Sequence, residues 1–497
     1  MRNRRVVQDR FVRLREVQKM IAEQGGLLND DTDAYLAEER SHGRVGFAID
    51  EFKDKWMRPF TEKAAKVGVD LDELSLYAYA KHAEERNRHI ASINPGLPDG
   101  GSGMKTADAQ AIIARFQAQP NFQDIRDLHN DLMAVTQASR DLLCNEGLIS
   151  DDEYTAWSNQ YSDYIPLRGF EGVDPETGVR TGGHGINVRG GESMRALGRR
   201  SRAGNLIENV IADYERAVLR AEKNEIGRTF YRFVQANPDP SLWEVDPVKR
   251  TRKYDPTKHL VVSSLVEDVG PDTIAFKEDG KEVHIKIHDE ALLRTMRASY
   301  MDETGQFQRV AAETLGVFNG YLRNTLTRWN PGFVVINTAR DFQTANASVV
   351  DKLGFGALAK YNLHVASAAA VAWRNERGTL VPGGGWDKWM TEFRAAGGAT
   401  GGFFGRDVER IASDLRGMLI DAGATVQPKG STVTAKAIDR AVIALRGNRA
   451  AKVAAATAKL VESMGGMSEN MFRVAAYRTA REMGKSPAQA ASIAKRT

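Results

Sequence analysis

Apolar residues recur at three- and four-residue steps along most of this chain, the spacing of amphipathic helices. In "FVRLREVQKMIAEQ", Phe11, Leu14, Val17 and Ile21 share one face. "DLDELSLYAYAKHAEERNRHIASI" reads as a second helix, capped at Asp70 or Asp72 and forced to stop before Pro95. Pro and Gly make "NPGLPDGGSGM" (94–104) a loop, and "KTADAQAIIARF" opens the next helix. Helical spacing continues to about residue 161. Ser150, three residues before Glu153, forms a capping arrangement on the way.

"DYIPLRGF" (163–170) breaks the helical pattern, and a long Gly-rich connection follows it. Such loops are functional, mobile or linkers between domains. Residues 205–236 form a long amphipathic helix. The period then changes. "HLVV" and "TIAFKEDGKEVHIKI" favour strands, with Asp279-Gly280 as a hairpin turn and Val283, Ile285 and Ile287 alternating after it. Two to four strands are expected. Helix resumes near Asp289, with a flexible break at "GGATGGFFG" (397–405). Gly484 separates the last two helices, and Ser486-Pro487 starts the second.

The expected fold is mainly α, elongated or multi-lobed, with a small β-hairpin or β-sheet insert near 240–290. The expected parts are an N-terminal helical region (1–165), the Gly-rich connection (166–204), the long helix (205–237), the β insert (238–290) and a helical domain (291–497).

Composition adds limits. The 497 residues are 42% hydrophobic and 27% charged, which is globular and large enough for several domains. Net charge is only +4, but it is uneven. "MRNRRVVQDRFVRLR" holds six arginines against one aspartate, and residues 431–497 hold twelve Lys or Arg against four acids. Arg195, Arg199, Arg200 and Arg202 cluster in "MRALGRRSRAG". Basic patches of this kind suit an anion or nucleic acid, or simply solvated helix faces. A single cysteine, Cys144, excludes an intrachain disulfide and a thiolate metal site. Between Leu142-Leu143 and Gly147-Leu148 it reads as a buried core thiol. No signal peptide and no membrane-spanning helix are expected.

Familiar catalytic words are missing: no Walker loop, no G-x-S-x-G, no H-E-x-x-H, no C-x-x-C. No cofactor and no metal site are expected. The best histidine cluster is "KHAEERNRHI", where His82, Glu85, Arg86 and His89 lie near one helix face. It suits a metal ion, acid–base work or a polar contact with another segment. "PDGGSGM" reads as a backbone nest for an anion or as a plain capping loop. His184, in "TGGHGINVRGG", has no partner base at a readable spacing.

The stretch "WNPGFVVINTARD" poses the sharpest question, because polar groups punctuate an apolar run. Pro331 suits the first position of a helix capped by Asn330. Asn337, Arg340 and Asp341 then share a face. With Asn330 they read as a buried polar network that fixes one helix packing.

These words also carry a resemblance. Trp329, Asn330, Pro331, Phe333, Asn337, Arg340 and Asp341 resemble a signature of very large bacteriophage polyvalent proteins, and most nearly of the family named large polyvalent protein associated domain 38. "SENMFRVAAYRTAREMG" resembles a later section of that family through Glu469, Arg473, Ala475 and Tyr477. The upstream words "LYAYAKHAEERNRHIASIN" and "GLISDDEYTAWSNQYSDYIPLRGF" are similar to the region preceding that domain.

The resemblance implies a virion-packaged protein delivered with the genome. This part would be a non-enzymatic helical module and a scaffold or binding segment. Its partners would be other phage virion proteins or the rest of a larger polypeptide, in an oligomer, with DNA contact through the basic patches and membrane contact on delivery. It would sit in the virion interior or tail, then in the host cell. The rivals are a DNA-binding protein of the infected cell and an enzyme with its site at His82, Glu85 and His89. No catalytic residue carries over from the family.

Overall fold

The computed structural model describes residues 11–167, 188, 192, 198–199, 203, 206–246, 250–255, 260–265, 272–297, 331–381, 383–399, 408–423 and 449–497. The described residues begin with helices α1 (Val12–Glu23) and α2 (Ala34–Phe52), a π-helical turn (Lys53–Met57), α3 (Arg58–Val67), α4 (Leu71–Ile93), α5 (Thr106–Gln117), α6 (Phe122–Asn145), α7 (Asp151–Gln160) and α8 (Leu206–Ala236). Five strands follow: β1 (Trp243–Asp246), β2 (Arg250–Asp255), β3 (Leu260–Leu265), β4 (Thr273–Glu278) and β5 (Lys281–Ile287). Then come α9 (Glu290–Arg297), α10 (Pro331–Leu353), α11 (Leu358–Glu376), α12 (Gly385–Ala395), α13 (Val408–Asp421), α14 (Arg449–Glu482) and α15 (Pro487–Lys495). The protein is mainly helical with a small antiparallel β insert.

Two compact units divide the chain. One holds Met1–Tyr35, Glu51–Tyr300 and Gly405–Ala424; the other holds Leu36–Asp50, Met301–Phe404 and Thr425–Thr497. Residues 36–50 therefore group with the C-terminal unit and 405–424 with the N-terminal one. A segment-by-segment reading does not foresee that exchange.

Local signals set many element ends. Asp70 accepts from the Asp72 amide at 3.0 Å, Ser150 from Glu153 at 3.2 Å and Ser486 from Gln489 at 3.1 Å. Each side chain satisfies an amide that has no partner within its helix. At the hairpin tip Asp279 and Gly280 both have positive φ, 49° and 73°, as a two-residue turn requires. Glu278 then pairs with Lys281. The insert is larger than the expected two to four strands. It has a three-stranded sheet in the order β1-β5-β4 and a β2-β3 ribbon. Ile274, Phe276, Ile285 and Ile287 are buried on the sheet.

Long helix α8 is the platform for that sheet. Gly227 lets the strand approach, because a Cβ there would lie 2.6 Å from Phe276 Cβ. Asn224, fully buried, makes the polar link. Its Nδ2 donates to the Glu146 and Lys277 carbonyls, both at 2.9 Å, and its Oδ1 accepts from the Lys277 amide at 2.7 Å. One side chain thus ties α6, α8 and β4 together.

The second unit has its own core, built from Val349, Tyr361, Val371, Met390, Phe393, Phe472 and Tyr477, with alanines of α15. Residues 397 and 398, expected within a flexible break, are buried. A Cβ on Gly43 would lie 2.3 Å from the Gly397 carbonyl oxygen, so α2 packs backbone to backbone on this turn.

Replacing Asn224 by Ala strands the Lys277 amide in the interior. The expected loss is about 3 kcal/mol of unfolding free energy, given ~1–3 kcal/mol per buried unsatisfied group. Denaturant unfolding would show it as a lower midpoint at unchanged slope.

Candidate functional site

The histidine face of α4 meets two other elements. The α7 helix ends at Gln160, and the chain that follows it, 161–167, runs back along α4. Glu85 receives it. Its Oε1 accepts from the Ser162 amide at 3.1 Å and from the Ser162 hydroxyl, and its Oε2 accepts from the Asp163 amide at 3.2 Å. Burial alone would raise the Glu85 pKa. The contact with His82 and the Ser162 and Asp163 donors outweigh it and hold the carboxyl at about 2. At 3.9 Å the His82 Nδ1 contact is an ion-pair distance, not a hydrogen bond, so the three donors are the firmer cause.

Asp163 turns its carboxylate to the other side. Lys81 Nζ lies 3.1 Å from Oδ2, and His129 Nε2 on α6 lies 3.7 Å from Oδ1. His82 is wedged between the rings of Tyr161 and Tyr164, with centroids 5.3 and 5.5 Å away. Arg86 reaches the Tyr161 hydroxyl at 3.3 Å, and His89 meets the Gln160 amide. Tyr77 stands edge-on to His129 at 5.4 Å. Burial pushes the pKa of both His82 and His129 below the ordinary 6.5.

The four residues singled out in the sequence do converge, but on a chain segment. His82 is 0% exposed, and neither ring nitrogen has a hydrogen-bond partner. A general base must come within about 3 Å of the proton that it takes. A ring closed in by two tyrosines offers no such approach from solvent. Among the described residues, no group of three His, Cys, Asp or Glu side chains is placed to hold a metal ion. The arrangement acts as a clamp. Sequence reasoning missed His129, Lys81 and Asp163, whose partners lie far away along the chain.

The other candidates resolve in different ways. "PDGGSGM" is a capping loop: Asp99 Oδ1 accepts from the Thr106 hydroxyl at 2.6 Å and from its amide at 3.1 Å. Buried Asn87 Nδ2 donates to Asp99, Met104 and Thr106, while its Oδ1 accepts from the Ser102 amide at 2.8 Å. Arg199 belongs to the same loop system. Its amide donates to the Gly101 carbonyl at 2.8 Å and its guanidinium to the Leu167 carbonyl at 3.2 Å. This arginine braces a loop. Arg195, Arg200, Arg202 and His184 lie outside the described residues. Cys144 is half-buried, not a core thiol. Its Sγ donates to Asp151 Oδ1 at 3.2 Å, and burial with that carboxylate pushes its pKa up.

In the second unit Pro331 does open α10, as its fixed φ allows. Asn330 and the Asn337 side chain lie outside the described residues. Arg340 is exposed and Asp341 half-buried, so Arg340 is no member of a buried network. Among the described residues of this helix, Thr338 Oγ1 meets Ser468 Oγ at 2.5 Å, beside the Phe342 and Phe472 rings 6.0 Å apart, and Ser348 Oγ donates to the Arg496 carbonyl at 3.0 Å. On α14, Glu469 and Arg473 pair at 3.0 Å, while Ala475 and Tyr477 are fully buried. The Tyr477 hydroxyl donates to Glu392 Oε1 at 3.0 Å, and Arg481 donates to the same oxygen at 2.8 Å.

Comparison of the chain with family models, curated proteins and solved structures finds no match.

The clamp titrates. The unfolded chain protonates His82 and His129 near 6.5, before the folded protein does. Their contribution is therefore complete above about pH 6.5 and lost as the pH falls toward the folded-state values. Glu85 follows, between its ordinary 4.5 and about 2. Thermal unfolding from pH 7.5 to 5.5 should show stability falling by up to about 1.4 kcal/mol per pH unit for each imidazole. His82→Gln should reduce the linked proton count by about one; an unchanged pH slope would show that His82 is not buried neutral.

Proposed function

We propose that this chain is a non-enzymatic helical module of a polyvalent-type bacteriophage protein, packaged with the genome and acting as a scaffold or binding segment. One observation carries the reading. From Pro331 onward the first of the two words that resemble this family lies on α10, and the second lies on α14; those helices pack on each other through Thr338 with Ser468 and Phe342 with Phe472. The resemblance therefore falls on one folded body. Its pattern also has a physical account there: in E-x-x-x-R-x-A-x-Y the first two residues pair on the surface and the last two enter the core.

The closed histidine clamp supports a structural role over the enzymatic rival. Its ionisable groups are spent on holding 161–164 against α4 and α6. The bracing role of Arg199 weakens the case for the 194–204 patch as a DNA contact. No described helix is long and apolar enough to cross a membrane. The test is quantitative mass spectrometry of purified virions. Several copies per particle are expected. Expression in infected cells with no copies in particles would overturn the packaged reading.

A further inference from the structure

A cleft in the first unit is unused by this reading. Its volume is about 320 Å³. Trp56, Phe60, Leu132, Ile207, Ile211 and Leu415 line it, contributed by the π-helical turn, α3, α6, α8 and α13. Five of the six are buried side chains, drawn from four helices, and they leave a gap where packed cores have none. The volume sits at the small end of the ~300–1,000 Å³ range of ligand sites. It suits a single apolar chain and not a two-chain lipid.

Each ammonium group at the cleft has one carboxylate beside it. Among the described lining residues, Lys55, Lys63 and Asp131 are charged. Lys63 pairs with Asp131 at 2.7 Å, and Lys55 reaches Glu51 at 2.5 Å, one turn away on its own helical run. All four side chains are at least 37% exposed, so these pairs are weak and exchangeable. An incoming carboxylate therefore competes with Asp131 and Glu51 for two exposed ammonium groups over an apolar floor.

The backbone supplies a second, independent sign. The turn Lys53–Met57 is π-helical, and Phe52, Lys55, Trp56 and Met57 in or beside it all reach the cleft. Such turns are rare and concentrate at functional sites, because widening a helix is retained where it places side chains. Phe52 is fixed by stacking on Tyr214 at 4.2 Å, and Thr61 holds the Met57 carbonyl at 2.9 Å.

We propose that this cleft binds a single-chain anionic amphiphile, its apolar tail along Trp56, Phe60 and Ile211 and its anionic head at Lys55 and Lys63. The probe is dodecanoate, titrated below its micellar range into the full chain by calorimetry, with dodecanol as the neutral control. One-to-one saturable binding is expected, with dodecanol weaker. Lys55→Gln with Lys63→Gln should reduce dodecanoate affinity about threefold and leave dodecanol unchanged, as exposed ion pairs allow. Leu132→Trp should fill the cleft and abolish both.

A second readout avoids any folding loss. Bromine-labelled dodecanoate should quench part of the tryptophan fluorescence, and Trp56→Phe should remove that part while calorimetric binding persists. No saturable binding, or quenching unchanged in Trp56→Phe, overturns the site. Equal affinity for acid and alcohol overturns the anionic head. Concentration-dependent dimerisation without dodecanoate binding would assign the cleft to a second copy instead.

Discussion

Polar groups taken out of water must find partners, and this protein depends on how few side chains meet that demand. Asn224 joins α6, α8 and β4 through three hydrogen bonds. Asn87 holds the 99–106 loop through four. Glu85 holds the chain after α7 through three. Each lies on a long helix and grips a segment distant from its own turn of helix. The apolar faces decide that the helices pack. These side chains decide where the connections between them lie, since a displaced connection would strand a buried donor or acceptor at ~1–3 kcal/mol.

The same constraint explains what could be read along the chain. Features that depend on a few neighbouring residues were legible: the caps at Asp70, Ser150 and Ser486, the Asp279-Gly280 turn, the start of α10 at Pro331. The mainly helical class and the place of the β insert were legible too, because period 3.6 and period 2 are local patterns. Partnerships across long separations were not. His129 meets Asp163, and Lys277 meets Asn224, with nothing in the intervening words to announce it. Arg340 illustrates the limit. Its spacing with Asn337 and Asp341 placed three polar groups on one helix face, but a face is buried only if another element covers it, and Arg340 is exposed. Cys144 failed in the same way: flanking leucines could not reveal that Asp151 would meet its thiol. Gly397 in turn reads as a flexible break until α2 is seen packed against it.

Two buried histidines, two carboxylates, a lysine and several tyrosines in one place look like chemistry when sorted by type. Their geometry argues otherwise. The carboxylates are occupied by backbone amides, a hydroxyl, a lysine and His129, and the His82 ring is enclosed by aromatic edges. Perturbed pKa values do gather at active sites, but buried structural clusters shift them by the same physics. Burial without access is what separates the two cases. The functional proposal accordingly rests on the second unit, where two distant words of the sequence become neighbours.

The most direct test of the clamp is amide hydrogen exchange at Ser162 and Asp163, measured in the parent chain and in Glu85→Ala. The account predicts that both amides are protected in the parent and lose that protection in the variant, while the α8 amides stay slow. Exchange of both amides at free-peptide rates in the parent would mean that Glu85 holds nothing, and that the polar groups on this face of α4 are free for another purpose.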